Sequence, residues 1–305
     1  MEGLIFLKDL SAGQADLAMA IAKLGYHDTP LFNMIQKAVP QKTSKAIFGH
    51  EWFYEEGVEG DDTNAHAEGS APATATHGTM GSSKNHYQII KHTYGITGSM
   101  EGKADIEGQE ELKKEGVRKQ KEHRKTIEKA LFSAQAPVQR DHTATTPVIG
   151  KMGGLKHWCN VQNTVDIGGD LTIQMLREMF KIGFYQSMPT THIFVSDTQK
   201  DKLDDLFADK NRGTYGQTIL QDTNYTQLDN FAYAPKVKVI LSPYVAADEI
   251  IGINAGSLAL VYQRLTKPYD LARNSDSIQK ELISELTLRV NNPYAVTRIS
   301  GLTTA

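Results

Sequence analysis

The amino-acid sequence predicts an α+β fold organised around one long charged helix. Residues 103–134 are rich in charge, and their only interior glycines are Gly108 and Gly116. Strand patterns lie before and after this segment, and strands alternate with helices between about residues 169 and 257. The 305 residues can bury a sizeable core in one large or two ordinary domains.

The composition is that of a folded protein from a reducing compartment. Hydrophobic residues make up 40% and charged residues 23% of the chain, both average values. A net charge of −3 gives no overall attraction to nucleic acid or to an anionic membrane. The single cysteine, Cys159, excludes a disulfide framework. Neither a signal peptide nor a membrane span is recognisable, so we expect a soluble protein made in a cytoplasm.

The first part of the chain predicts an arm followed by a long hairpin. Ser11 is a candidate cap for a helix that ends at Gly25, and an apolar cluster follows Pro30. We expect this cluster to dock on another part of the fold or on another subunit. Strand patterns at residues 46–56 and 87–97 flank an irregular loop at 57–83. Because a lone two-stranded hairpin is marginally stable in water, it needs another surface to lie on.

The charged helix carries sixteen Asp, Glu, Lys or Arg residues between positions 103 and 129. Acid-first i,i+4 spacing predicts ion pairs of Glu110 with Lys114 and of Glu115 with Lys119. Residues 113–129 hold eight Lys or Arg against three Glu. The simpler interpretation is a helix face exposed to solvent. The more specific one is a surface that binds the phosphates of a nucleic acid independently of its base sequence. Its candidate residues are Lys113, Lys114, Arg118, Lys121, Arg124 and Lys125.

The rest of the chain predicts an α/β lobe and then returning strands. Asp170 is a candidate cap for a helix that ends at about Tyr185, and Asp197 caps a second helix to about Ala208. Further strands are predicted at 192–196, 231–233, 237–241, 258–265, 281–290 and 295–299.

No combination of residues predicts a catalytic, cofactor or metal site. His66 and Glu68 have the spacing of a zinc deaminase, but the cysteine pair that such a site requires is impossible with one cysteine. Cys159 follows Trp158 in an apolar context and is interpreted as a packing residue rather than a nucleophile.

Several segments, in this order, resemble a known family. They are TPLF at 29–32, EW at 51–52, ITGS at 96–99, MGGLKHW at 152–158, ELTLRVNNP at 285–293 and ISGL at 299–302. The chain is similar to the major capsid protein of tailed double-stranded-DNA bacteriophages, whose fold is shared with herpesvirus and encapsulin shells. The match spans nearly the whole chain.

The resemblance implies a structural subunit without catalytic activity or cofactor. Its parts would be an N-terminal arm (1–45), an extended hairpin loop (46–101), a peripheral domain (102–168 and 258–305) with a spine helix (103–134), and an axial domain (169–257). Such subunits form pentamers and hexamers of an icosahedral or prolate head that encloses double-stranded DNA. The protein would belong to the virion and assemble in the bacterial host cytoplasm.

The resemblance also implies partners. The main partner would be further copies of the chain itself. A portal would be another, and decoration or scaffolding proteins are further candidates. Packaged DNA would be contacted non-specifically, and no membrane would be involved. In such shells the hairpin lies across the neighbouring subunit. Crosslinking through Lys84, the only lysine near the hairpin tip, is not expected, because no matching catalytic acid is evident. Candidate inter-subunit contacts are Pro30, Leu31, Phe32, Trp52, Phe53, Tyr54, Tyr87 and Tyr94.

Two other hypotheses stay open at this point. An encapsulin-like compartment would use the same fold to hold an enzyme cargo instead of DNA. A metal- or nucleotide-dependent enzyme would use the α/β lobe as its catalytic domain.

Overall fold

The described part of the chain contains two β-sheets, a separate hairpin, one long helix and four shorter ones. The computed structural model describes residues 28–38, 49–55, 60–72, 78–103, 110–143, 146–159, 161–212 and 227–304. The predicted helix at 11–25 and residues 104–109 of the charged segment lie outside these ranges. The helices are α1 (Pro30–Met34), α2 (Glu111–Leu131), α3 (Leu155–Trp158), α4 (Ile173–Tyr185) and α5 (Asp197–Arg212).

The strands confirm most of the predicted segments with shifted ends and add β1, β3, β5 and β9. They are β1 (Gln36–Ala38), β2 (Gly49–Glu55), β3 (Met80–His86), β4 (Gln88–Thr97), β5 (Thr164–Gly169), β6 (His192–Val195), β7 (Gln227–Phe231), β8 (Ala234–Leu241), β9 (Ile250–Ile253), β10 (Leu258–Asp270), β11 (Ser277–Val290) and β12 (Val296–Leu302).

The first sheet has four strands in the order β1-β10-β11-β4. β11 lies in the middle and pairs antiparallel with both β10 and β4, whereas β1 of the arm pairs parallel with β10. Leu282, Leu286 and Leu288 of β11 are buried. Leu286 and Leu288 belong to one apolar core with Ile127 and Leu131 of α2.

The second sheet has six strands in the order β5-β12-β9-β6-β8-β7. Met175, Met179 and Phe180 of α4 pack in its core. The predicted helix cap at Asp170 is wrong, because the Thr172 hydroxyl accepts the N–H of Met175 at 3.3 Å and caps α4 two residues later. β5 and β12, which flank the stretch 169–257 in sequence, are hydrogen-bonded into this sheet.

The hairpin consists of β2 and β3, whose register runs from Gly49 opposite His86 to Glu55 opposite Met80. The predicted partner of the first strand was residues 87–97, and that pairing is wrong. Those residues form β4, which pairs with β11 along its length. The sequence of β3, MGSSKNH, contains no β-branched or aromatic residue, so its strand comes from pairing with β2 rather than from local propensity.

The charged helix is present as α2 but is shorter than the predicted 103–134, because the described residues 103, 110 and 132–134 lie outside it. Glu115 and Lys119, predicted to pair with each other, form ion pairs with Arg118 at 3.3 Å and with Glu122 at 2.8 Å. These pairs have i,i+3 spacing, which brings side chains together as well as i,i+4 does.

A buried polar cluster fixes α2 to the first sheet. His123 is 1% exposed. Its Nδ1 lies 3.0 Å from Nδ1 of His92 on β4, and its Nε2 lies 2.6 Å from the Ser284 hydroxyl on β11. Glu122 and Thr126 border His92 on the outer side. Burial, assisted by His92, lowers the pKa of His123 to about 4.

A buried carboxylate fixes the arm to α2. Glu128 is fully buried, and it accepts the backbone N–H groups of Leu31 at 3.0 Å and Phe32 at 2.7 Å. These are donors of the first turn of α1, which no backbone carbonyl of that helix can reach. The apolar cluster after Pro30 therefore docks on another part of the same chain. Burial raises the pKa of Glu128 to about 7, although both N–H bonds oppose this.

His123 predicts a loss of stability on acidification. Its folded pKa of about 4 lies below the ordinary value of 6.5, so the unfolded chain binds the proton first as the pH falls. The stabilisation that comes from keeping His123 neutral is fully present above the ordinary pKa. The free energy of unfolding then falls by roughly 3 kcal/mol as the pH decreases toward 4. Urea titrations of wild type and His123→Gln across this range measure it. The variant is expected to lose less stability, and parallel pH profiles would contradict the expectation.

Glu128→Ala is expected to release the arm, because it leaves two buried N–H groups without an acceptor at a cost of roughly 2 kcal/mol. Hydrogen exchange of the Leu31 and Phe32 amides should accelerate. Glu128→Gln is the control for the charge, because it cannot ionise and its one carbonyl oxygen still accepts one of the two N–H groups. Since the raised pKa makes ionisation costly in the folded state, stability declines as the pH rises from 4.5 toward 7 in wild type but not in this control. Unchanged amide exchange in the alanine variant would show that Glu128 does not hold the arm on α2.

Candidate functional site

The base of the β2–β3 hairpin is firmly anchored. Asn85 of β3 is fully buried, and its amide nitrogen donates to the carbonyl oxygens of Leu288 at 2.7 Å and Gly153 at 3.2 Å. Its amide oxygen accepts the N–H of Gly153 at 2.7 Å. One side chain thus joins the hairpin both to β11 and to the segment before α3.

The two faces of the hairpin differ sharply. Trp52 is buried, and its ring lies 5.4 Å from that of Trp158. The adjacent residue, Phe53, points to the opposite face and is 67% exposed, and Met80 across the strand pair is 69% exposed. Alternation along the strands therefore gives one face packed on the chain and one outer face, where Phe53 and Met80 lie among charged and polar side chains and the described residues do not cover them.

Residues 60–72, the described part of the hairpin tip, form no apolar core. Every residue from 60 to 72 is exposed. This stretch carries Asp61, Asp62 and Glu68 and contains no Lys or Arg. Asp61 accepts both the N–H and the hydroxyl of Thr63, and these bonds lower the pKa of its carboxyl group. The tip is therefore an acidic loop held partly by local turns.

The eight predicted contact residues fall into two groups. Five are buried within their own chain: Leu31, Phe32, Trp52, Tyr87 and Tyr94. Pro30, Phe53 and Tyr54 keep part of their surface exposed. The ring of Tyr54 packs over Gly81 across the hairpin, where the absence of a side chain makes room for it.

Some exposed apolar residues were missed. Met80 lies on β3, where no periodic pattern marks a strand. Phe184 and Tyr185 end α4, are 47% and 65% exposed, and contact the ring of Tyr233. The helical period predicts that Phe184 faces the core. The structure shows instead that the C-terminal end of α4 extends beyond the surface on which the helix packs, so Phe184 is partly exposed.

The six predicted basic residues share one side of α2. At about 100° per residue they span roughly 140° of the helix circumference. Gly116, His123 and Ile127 are buried on the other side, whereas Glu128 and Leu131, which are also buried, lie within the same arc as the basic residues. The side chains of Lys113 and Arg118 are 80% and 73% exposed, with Glu110 and Glu115 beside them.

The described residues contain no group of three or more His, Cys, Asp or Glu side chains that could hold a metal ion. Burial raises the pKa of the Cys159 thiol to about 11, so this thiol is protonated at neutral pH and is a poor nucleophile. Among the described helices, none combines the length and apolar character needed to cross a membrane.

Comparisons with known proteins agree with this geometry. Residues 5–303 match the family model described as SU10 major capsid protein. A comparison with curated proteins found no match.

Solved structures with the same fold include capsids of other phages. The cyanophage A-1(L) capsid protein has 14% identity and a TM-score of 0.63, with 98% of each chain covered. A structure from Microbacterium phage Oxtober96 has 12% identity and a TM-score of 0.64, with 97% of each chain covered. The SrpI encapsulin of Synechococcus elongatus has 8% identity and a TM-score of 0.62, covering 99% of this chain and 97% of its own.

At these identities the structural matches establish the fold, and the predicted tailed-phage capsid fold is confirmed. The family model covers nearly the whole chain, whereas the encapsulin is one distant structural neighbour among phage capsids. The chain therefore belongs to the SU10 major capsid protein family and is a structural subunit of a bacteriophage capsid shell.

Proposed function

We propose that copies of this subunit join into pentamers and hexamers through the hairpin, which lies across a neighbouring copy. The observation that carries this proposal is the contrast between the hairpin's anchored base and its uncovered outer face and tip. Asn85 holds the base of the hairpin. The apolar side chains of Phe53 and Met80 are exposed on its outer face and have no intrachain partner among the described residues. A second copy supplies the missing surface.

Such contacts are head-to-tail, because the hairpin of one copy meets a different surface of the next. Head-to-tail contacts close into rings when the rotation between copies permits. Each contact is modest, and many contacts acting together make a stable shell. A hairpin fixed at one end lets the same sequence fit rings of five and of six.

We also propose the division into arm (1–45), hairpin loop (46–101), peripheral domain (102–168 and 258–305) and axial domain (169–257). A second apolar core, which α4 forms with the six-stranded sheet and which is distinct from the core that contains α2 and β11, supports it. β12 is hydrogen-bonded to β9 of the axial part, and β5 pairs with β12, so β12 connects the two domains.

The remaining parts of the proposal concern what the shell contains and meets. It encloses double-stranded DNA, contacted non-specifically by the basic side of α2, and it joins a portal and any decoration or scaffolding proteins. The subunit acts without catalysis and assembles in the cytoplasm of the bacterial host.

The hairpin's role is tested by replacing residues 60–72 with a short Gly-Ser linker, which keeps β2 and β3. The variant should fold, because every replaced residue is exposed. It should not form shells, because the tip contact is lost. Size-exclusion chromatography and negative-stain electron microscopy of wild type and variant give the answer. Wild type should form large particles, and normal particles of the variant would refute the role of the tip.

DNA contact is tested by the salt dependence of binding to a duplex oligonucleotide. Neutralising Lys113, Arg118 and Lys121 to Gln should reduce the slope of log K against log salt by about three, roughly one per phosphate contact. The same change at Lys151, Lys236 and Lys238, exposed lysines on other surfaces, is the matched control. Equal slopes for both triple variants would mean that this side of α2 does not meet DNA.

A further inference from the structure

A cationic groove lies between α1, α2 and the β10–β11 pair. Its volume is about 540 Å³. Lys37, Arg124 and Lys267 line it, and no Asp or Glu side chain does. Asn33, Gln120 and Thr266 add polar groups to its wall. Three elements distant in sequence thus bring three positive charges to one concave surface.

The charges of this groove are not neutralised within the described part of the chain. Lys37, Arg124 and Lys267 form no ion pair there. Glu128, four residues after Arg124 on α2, is engaged elsewhere, because it accepts two N–H groups of the arm. Burial and the nearby Arg124 lower the pKa of Lys37. The groove therefore favours an anion from outside the chain.

The shape of the groove selects the kind of anion. The Lys37 ammonium lies 4.6 Å from the centre of the Phe32 ring, and Tyr262, Leu265 and Leu282 form an apolar floor. A cavity of this size accepts a few side chains of a single segment. A duplex presents its phosphates on a convex, rigid surface and meets only the rim. An extended segment with several carboxylates fits better.

The hairpin tip offers such a segment. Residues 60–72 carry three carboxylates, no cation and no apolar core. None of them lines the groove of its own chain. We propose that the Lys37–Arg124–Lys267 groove binds the acidic hairpin tip of a second copy of this chain. The inference rests on the proposed function, because it names the surface on which the neighbour's hairpin lies.

The chemistry of the contact is ionic and orienting. Three carboxylates meet three cations in a partly enclosed site, where charge pairs exclude wrong partners and fix the register of the approaching loop. The apolar floor and the outer face of the hairpin supply buried area. The contact should weaken with salt, because its charges remain near the surface.

A labelled peptide of residues 60–72 tests the groove on the unassembled full-length chain. Fluorescence anisotropy should show binding that weakens at least about tenfold in Lys37→Glu/Arg124→Glu/Lys267→Glu, given the energies of exposed ion pairs. The peptide with Asp61→Asn, Asp62→Asn and Glu68→Gln should bind equally weakly to wild type. Lys151→Glu/Lys236→Glu/Lys238→Glu is the matched control and should keep wild-type affinity. Equal affinity of the groove variant and wild type for the acidic peptide would overturn the proposal.

A charge swap tests the same contact in the shell. Groove reversal alone and tip reversal alone (Asp61→Lys/Asp62→Lys/Glu68→Lys) should each reduce particle yield, and the combined variant should recover it. Failure of the combined variant to recover, with both single variants folded, overturns the proposal. So does a groove variant that assembles normally but loses affinity for a duplex oligonucleotide, which would assign the groove to DNA. If wild type forms no particles, the proposed function fails, while peptide binding at the groove still upholds this inference.

Discussion

Strand β11 is the element to which the extended parts of the chain are attached. It pairs with β10 and β4 along its length and bonds to α2 through Ser284. It also holds the hairpin through the carbonyl of Leu288. A shift of one residue in its register would turn all of these contacts to the wrong face, since side chains alternate with a period of two. The position of β11 therefore sets the position of every part that reaches outward.

Buried carboxylates also join segments that are far apart in sequence. Glu285 of β11 is bound by Arg140 at 2.5 Å and by Arg264 at 2.9 Å. Glu249 lies between Lys156 and Arg298 and connects α3 to β12. Removing one member of such a group leaves an uncompensated buried charge, which is strongly destabilising. These groups fasten segments far apart in sequence, so they define a single arrangement of the chain more than they add stability.

Regular periodicity explains what could be predicted. β4, β11, α4 and α5 were identified because their apolar residues repeat with the period of a strand or a helix. β3 was missed because its sequence is polar, and its pairing with β2 depends on a tertiary anchor at Asn85.

On α2, His123 and Glu128 look like members of a solvated face. Only the arm and the sheet, which cover them, make them interior groups. For the same reason, Leu31 and Phe32 could not be assigned to their own chain rather than to a neighbour. The basic residues were found by composition, but the groove was not, because Lys37 and Lys267 lie far from α2 in sequence.

The contact between Trp52 and Trp158 has an optical consequence. The chain contains two tryptophans, and they lie 5.4 Å apart, one on the hairpin and one on α3. The ultraviolet emission of the subunit that comes from indole rings thus originates at the point where the hairpin leaves the body of the protein. The molecule carries a built-in reporter of that junction, without any attached label.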